Sequence, residues 1–160
     1  MGTALRGFVS GRTLPLLAVA FFATLDVAAQ GSTAVIEQNG SQNRAEITQV
    51  AANARLLQSG SGNVAHIDQA SGAHAQVSQT GMDNVLRGVD LQVATQAVDA
   101  WMTVFQQGEA NVVSISQDMG AVADIAQTGI GNTAIVSQGI DAHATVHQNG
   151  NMNHAVVTQH

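Results

Sequence analysis

The sequence predicts an all-β fold, a β-solenoid of about six strand-turn-strand coils that form two stacked parallel sheets. Three observations carry that prediction. Six copies of Gln-x-Gly-x-x-Asn recur at intervals close to 21 residues, starting at Gln38, Gln58, Gln79, Gln106, Gln127 and Gln148. The residues flanking each copy alternate apolar and polar with a period of two, as in a strand with one buried face. A unit this short cannot bury a core alone, so its copies must stack on one another.

Composition sets the limits. The 160 residues suit one domain. There is no cysteine, tyrosine or lysine, Pro15 is the single proline, and charged residues make up 10%. Aromatic residues are 3%, so any core is thin and filled by small aliphatics. Such polar composition also fits a disordered or prion-like tract. Strict spacing argues against plain disorder, though not against aggregation.

Residues 1–29 read as a signal peptide. Arg6 and Arg12 supply a positive start, Leu14 to Leu25 an apolar stretch, and Val27-Ala28-Ala29 a small-residue cleavage site. The apolar stretch is too short for a membrane span. Behind it, residues 30–160 keep three arginines against ten carboxylates, a formal charge of 3 − 10 = −7. That leaves no basic face for nucleic acid. Without cysteine, an exported chain is stabilised by stacking rather than by disulfides.

The repeats lie near 32–51, 52–72, 73–90, 100–120, 121–141 and 142–160. Within each, one strand leads into the motif: Ala34-Ile36-Gln38, Ala54-Leu56-Gln58, Ala75-Val77-Gln79, Ala123-Ile125-Gln127 and Ala144-Val146-Gln148. A tight arc follows, where Gly40, Gly60, Gly81, Gly108, Gly129 and Gly150 supply positive φ and Asn43, Asn63, Asn84, Asn111, Asn132 and Asn153 close it. The second strand then carries Ala45-Ile47-Gln49, Ala65-Ile67-Gln69, Val113-Ile115-Gln117, Ala134-Val136-Gln138 and Ala155-Val157-Gln159. Stacked about 4.8 Å apart, these strands face each other across a narrow core. The recurring Gln and Asn fall in phase with the inward set, where they form amide ladders or cap turn backbone.

The third repeat breaks the pattern. Leu86, Gly88 and Asp90 stand where Ala, Ile and Gln are expected, and an insertion is placed at 91–101. Leu91, Ala94, Val98, Trp101 and Phe105 fit a helical spacing, so a short helix competes there with a looped bulge. Asp83, Gly88 and Asp90 are candidate gatekeepers that slow self-assembly. No polar cap follows the last repeat, whose final strand ends at Gln159, so the stack invites another molecule at its end.

No convergent reactive groups suggest an enzyme, and no cofactor or small-molecule site is expected. His143 and His147 share a strand face but lie about 13 Å apart, too far to chelate one metal ion.

These residues are similar to the curlin repeat, Ser-x5-Gln-x-Gly-x2-Asn-x-Ala-x3-Gln, carried by the subunits of curli and related functional amyloids. Ser32, Gln38, Gly40, Asn43, Ala45 and Gln49 fit it at every position. Repeats two, five and six differ only in Ala52, Ala121 or Ala142 at the serine position, and repeat four has Ala100 and Val113. The resemblance spans nearly all of residues 32–160. It implies a secreted subunit that assembles into cell-surface amyloid fibres of a biofilm matrix, aiding adhesion and aggregation. It also implies a second curlin subunit, a curli-type secretion channel and its accessory proteins as partners. The glycine-rich targeting stretch of the best-known members is missing, since only Gln30 and Gly31 precede Ser32. The intact last repeat, without Arg or Lys, leans towards a major subunit. A minor nucleator and a soluble β-solenoid adhesin are the alternatives.

Overall fold

A computed structural model describes residues 22–27, 31–89 and 93–160, and every regular element among them is a strand. Six coils follow one another. The first pairs β2 (Thr33–Ser41) with β3 (Arg44–Gln49), and the second β4 (Asn53–Ser61) with β5 (Val64–Gln69). In the third, β6 (His74–Met82) meets a divided partner, β7 (Val85–Arg87) and β8 (Ala94–Gln96). The fourth has β9 (Trp101–Glu109) and β10 (Val112–Gln117), the fifth β11 (Val122–Ile130) and β12 (Thr133–Gln138). The sixth has β13 (His143–Asn149) and β14 (His154–Gln159). One more strand, β1 (Phe22–Val27), precedes the first coil. The rest of the expected leader, with its cleavage site at Ala29, lies outside the described residues.

Two parallel sheets result. One runs β2-β4-β6-β9-β11-β13; the other runs β1-β3-β5-β7-β10-β12-β14, with β8 also bridging β5 and β10. Register keeps like residues in columns: Ala45 pairs Ala65, Ile47 pairs Ile67 and Gln49 pairs Gln69. Because only the inner face of each sheet is covered, the strands keep an alternating pattern that a two-sided parallel sheet would lose. Ile47, Leu56, Ile67, Ile115 and Ile125 are fully buried between the sheets. Each such side chain contributes about 1.5–3 kcal/mol through removal of apolar surface from water. The core is left open at the stack ends, where Ile36, Ala155 and Val157 are only partly buried.

The third coil corrects the sequence reading. Residues 94–101 contain no helix and are not inserted. Ala94 pairs with Ile67 and Gln96 with Gln69 on one side, and Gln96 with Gln117 on the other. The extra residues are therefore 88–93, between Arg87 and Ala94, of which 90–92 lie outside the described residues. Leu86 stands in the small-residue column opposite Ala65, and Ala94 in the large-residue column opposite Ile67. Large and small have exchanged places within one coil, which conserves core volume, the substitution pattern that cores tolerate best. Gly88 is buried where the chain leaves β7, and Asp90 lies outside the described residues. Val98 falls in an arc, while Trp101 and Phe105 point outward from β9.

The arcs stack as regularly as the strands. Backbone N–H groups in them reach carbonyls one coil below, as from Gly62 to Ser41 (3.0 Å), Asp83 to Ser61 (2.9 Å) and Ala110 to Met82 (2.9 Å). Hydrogen bonding is thus continuous around most of each coil, leaving few backbone groups to be satisfied by water.

Candidate functional site: amide ladders and open coil ends

Three columns of side-chain amides run along the stack. In the first, Gln38 Nε2 donates to Gln58 Oε1 (2.7 Å), Gln58 to Gln79 (2.8 Å) and Gln79 to Gln106 (2.9 Å). Gln106 then donates to Gln127 (3.0 Å) and Gln127 to Gln148 (2.8 Å). The second column is Gln49, Gln69, Gln96, Gln117, Gln138 and Gln159, joined in the same direction at 2.8–3.4 Å. The third runs the opposite way. Asn63, Asn84, Asn111, Asn132 and Asn153 each donate Nδ2 to the Asn Oδ1 one coil below, the first acceptor being Asn43, at 2.9–3.0 Å.

The same amides close the arcs, which explains the spacing of the motif. Gln58 Nε2 also reaches the Asn63 carbonyl five residues on (3.1 Å) and the Arg44 carbonyl across the coil (3.0 Å). Asn63 Nδ2 also takes the Ser59 carbonyl (3.3 Å) and the Gly81 carbonyl of the next coil (3.0 Å). Opposite, Gln117 Nε2 reaches the Ala121 carbonyl four residues on (3.2 Å). Gln-x4-Asn and Gln-x3-Ala are thus the lengths that one side-chain amide can span.

Stacking also fixes the motif glycine. Gly40, Gly60, Gly81, Gly108, Gly129 and Gly150 have φ between +109° and +119°. A Cβ on any of the first five would stand 1.9–2.1 Å from the carbonyl oxygen of the next glycine in the column. Gly150, with nothing stacked above it, meets no atom closer than 3.6 Å. Two further residues turn left-handed in each of the first five coils and one in the sixth. One precedes the motif Asn: Gln42, Gly62, Asp83, Ala110, Gly131 and Met152, with φ from 54° to 71°. In the opposite arc the column runs Ala51, Gly72, Asp99, Gly120 and Asp141. There Asp99 Oδ1 and Asp141 Oδ1 occupy the space that a Cβ on Gly72 or Gly120 would need, as Asp83 Oδ1 does over Gly62. Size alternation keeps each Asp away from another.

Gln96 was the ladder member hidden from the sequence, where Asp90 stood in its place. Its signal was the four-residue step to the next coil, Gln96 to Ala100, as in Gln69 to Ala73, Gln117 to Ala121 and Gln138 to Ala142. With Gln96 in register, both Gln ladders pass the bulge unbroken.

The two ends of the stack carry complementary groups. At the C-terminal end, Gln148 Nε2 keeps only the Thr133 carbonyl (3.0 Å) and Gln159 Nε2 only that of His143 (3.0 Å). At the N-terminal end the mismatch is buried. Gln49 Oε1 and Ser32 Oγ, both in the first coil, are two of three buried side-chain polar atoms without a partner among the described residues, the third being His66 Nε2. An unsatisfied buried acceptor costs about 1–3 kcal/mol. No family model, curated protein or solved structure matches the chain.

Outward faces are less ordered chemically. Trp101 is 55% exposed and stacks on His74 with ring centroids 4.3 Å apart. Beside them an open hollow of about 350 Å³ is lined by Arg55, Gln76 and Thr103. Arg44–Glu46 (3.4 Å) and Arg55–Glu37 (3.8 Å) form exposed ion pairs on the first two coils. Such pairs contribute about 0–1 kcal/mol.

Proposed function

We propose that this chain is an exported structural subunit whose coils stack head to tail into extracellular cross-β fibres of the curli kind. The carrying observation is the polarity of the ladders. Donors of Gln148 and Gln159 end one face, and the orphaned acceptor of Gln49 begins the other. Joining them continues all three columns, with the next molecule's Asn43 donating to Asn153. Once the leader is removed, the strand edges at both ends are the template on which such joining proceeds. The wider role in a biofilm matrix, with a second curlin subunit and a dedicated secretion channel, rests on the repeat resemblance.

The test is assembly of the chain freed of its first 29 residues. It is expected to form thioflavin-positive fibres with a meridional reflection near 4.7 Å. A product that stays monomeric and thioflavin-negative for days at micromolar concentration overturns the reading and favours a soluble adhesin.

A further inference from the structure

We infer that residues 22–27 are a placeholder strand, filling at the N-terminal face the slot that β14 of a second copy takes in a stack. The inference rests on the head-to-tail reading above and adds its control.

Register carries the argument. β1 pairs in parallel with β3 over six residues, from Phe22 opposite Arg44 to Val27 opposite Gln49. β14 pairs with β12 in the same frame, with Ala155, Val157 and Gln159 opposite Ala134, Val136 and Gln138. In the β1 frame, Ala23, Leu25 and Val27 stand opposite Ala45, Ile47 and Gln49. The segment thus repeats the small-large order of a coil strand but has valine at the ladder position. Valine carries no amide, and Gln49 Oε1 is the acceptor left buried without a donor. A second copy's Gln159 brings the missing Nε2–H in the direction that every other Gln in the column uses.

Placement gives this strand a consequence. It covers the edge of β3, so a chain that retains it cannot offer that edge to a neighbour. Among the described residues β14 pairs only with β12, so its other edge is open. Such a chain adds once to the N-terminal end of a fibre and stops that end. Loss of the leader removes the block and the orphaned acceptor together.

Two measurements on the full 160-residue chain test this, with the 30–160 chain as reference. Hydrogen exchange reads the contact in the monomer: the amides of Ala45, Ile47 and Gln49, which alternate with the β3 amides turned towards β5, are expected to be protected in the full chain and to lose that protection with Thr24→Pro, which removes an N–H that faces β3. Seeded growth reads the block. The full chain is expected to elongate at least about tenfold more slowly than 30–160, and Thr24→Pro to recover most of the difference. Val27→Gln, which supplies the absent donor, should tighten the block several-fold further. Mixed into growing 30–160 fibres, the full chain should arrest one of the two ends. Equal protection of Ala45, Ile47 and Gln49 with and without Thr24→Pro overturns the placeholder, whether or not fibres form. Equal elongation of the full and shortened chains does the same while leaving the fibre reading intact. Failure of every chain to grow, with β3 protected as expected, removes the head-to-tail reading and the control drawn from it, but not the contact.

Discussion

Gln127 and Gln148 occupy the same place in successive coils, yet their bonding differs. Gln127 accepts from Gln106, donates to Gln148 and holds the Val112 carbonyl; Gln148 accepts from Gln127 and donates only to Thr133. Gly129 and Gly150 differ likewise, one pressed against the carbonyl of its neighbour and the other open. What a repeat residue contributes is therefore set by how many coils lie on either side of it. Interior copies hold the molecule together, and terminal copies are competent for contacts that one molecule cannot make.

The sharpest way to break that comparison is at the glycines. Gly108→Ala places a Cβ 2.1 Å from the Gly129 oxygen at φ +119°. A loss of about 4–6 kcal/mol is expected from backbone strain and overpacking together, read as a shift in the urea midpoint of monomeric chain. Gly150→Ala should show only the strain, about 1–3 kcal/mol, while its seeded growth at the C-terminal end is lost.

Next come the amides. Gln106→Leu strips the acceptor from Gln79 and the donor from Gln127, both buried. It should cost about 2–6 kcal/mol, and Gln148→Leu, which strands one ladder neighbour instead of two, about 1–3 kcal/mol. Equal midpoints for the two variants would show that coil position does not matter.

A smaller effect isolates what is local. Ala110 and Met152 both sit near φ 55°, a conformation that costs a non-glycine residue wherever it occurs. Replacing either by glycine should stabilise by about 1 kcal/mol, equally at the interior and the end, since the strain belongs to the residue. Smallest of all, deleting 88–93 restores the spacing of the other coils. The midpoint should move by no more than about 1 kcal/mol, because loop closure depends only weakly on length.

Much of this architecture was legible because period-two alternation and an exact motif leave few alternatives. Inward and outward residues were readable along the strands, and so were the columns of Gln, Gly and Asn. The third coil was not, and the reason is physical. Leu86-Gly88-Asp90 continues the alternation past the point where the chain leaves the sheet, so periodicity alone cannot mark the exit. Re-entry is marked by Gln96 and its reach to Ala100, an arc-closing bond rather than a hydropathy signal. The left-handed residues were hidden for another reason. Ala110 and Met152 do not look like turn formers, and the hydrogen bond of each to the preceding arc holds their backbone. Nothing in the motif announced strand β1 either, since its residues read as part of an apolar leader.

The six extra residues at 88–93 and the outward indole of Trp101 occur once among six coils. In a rod made by adding whole molecules, each therefore recurs every six coils, about 29 Å along the axis at the usual strand spacing. The finer amide repeat is uniform and carries no address, whereas these two marks divide the rod into equal lengths. A partner with two copies of one binding group would bridge successive molecules only if its span matched that interval. The one irregular coil would then serve as the graduation on a ruler, telling a reader of the fibre where each molecule begins.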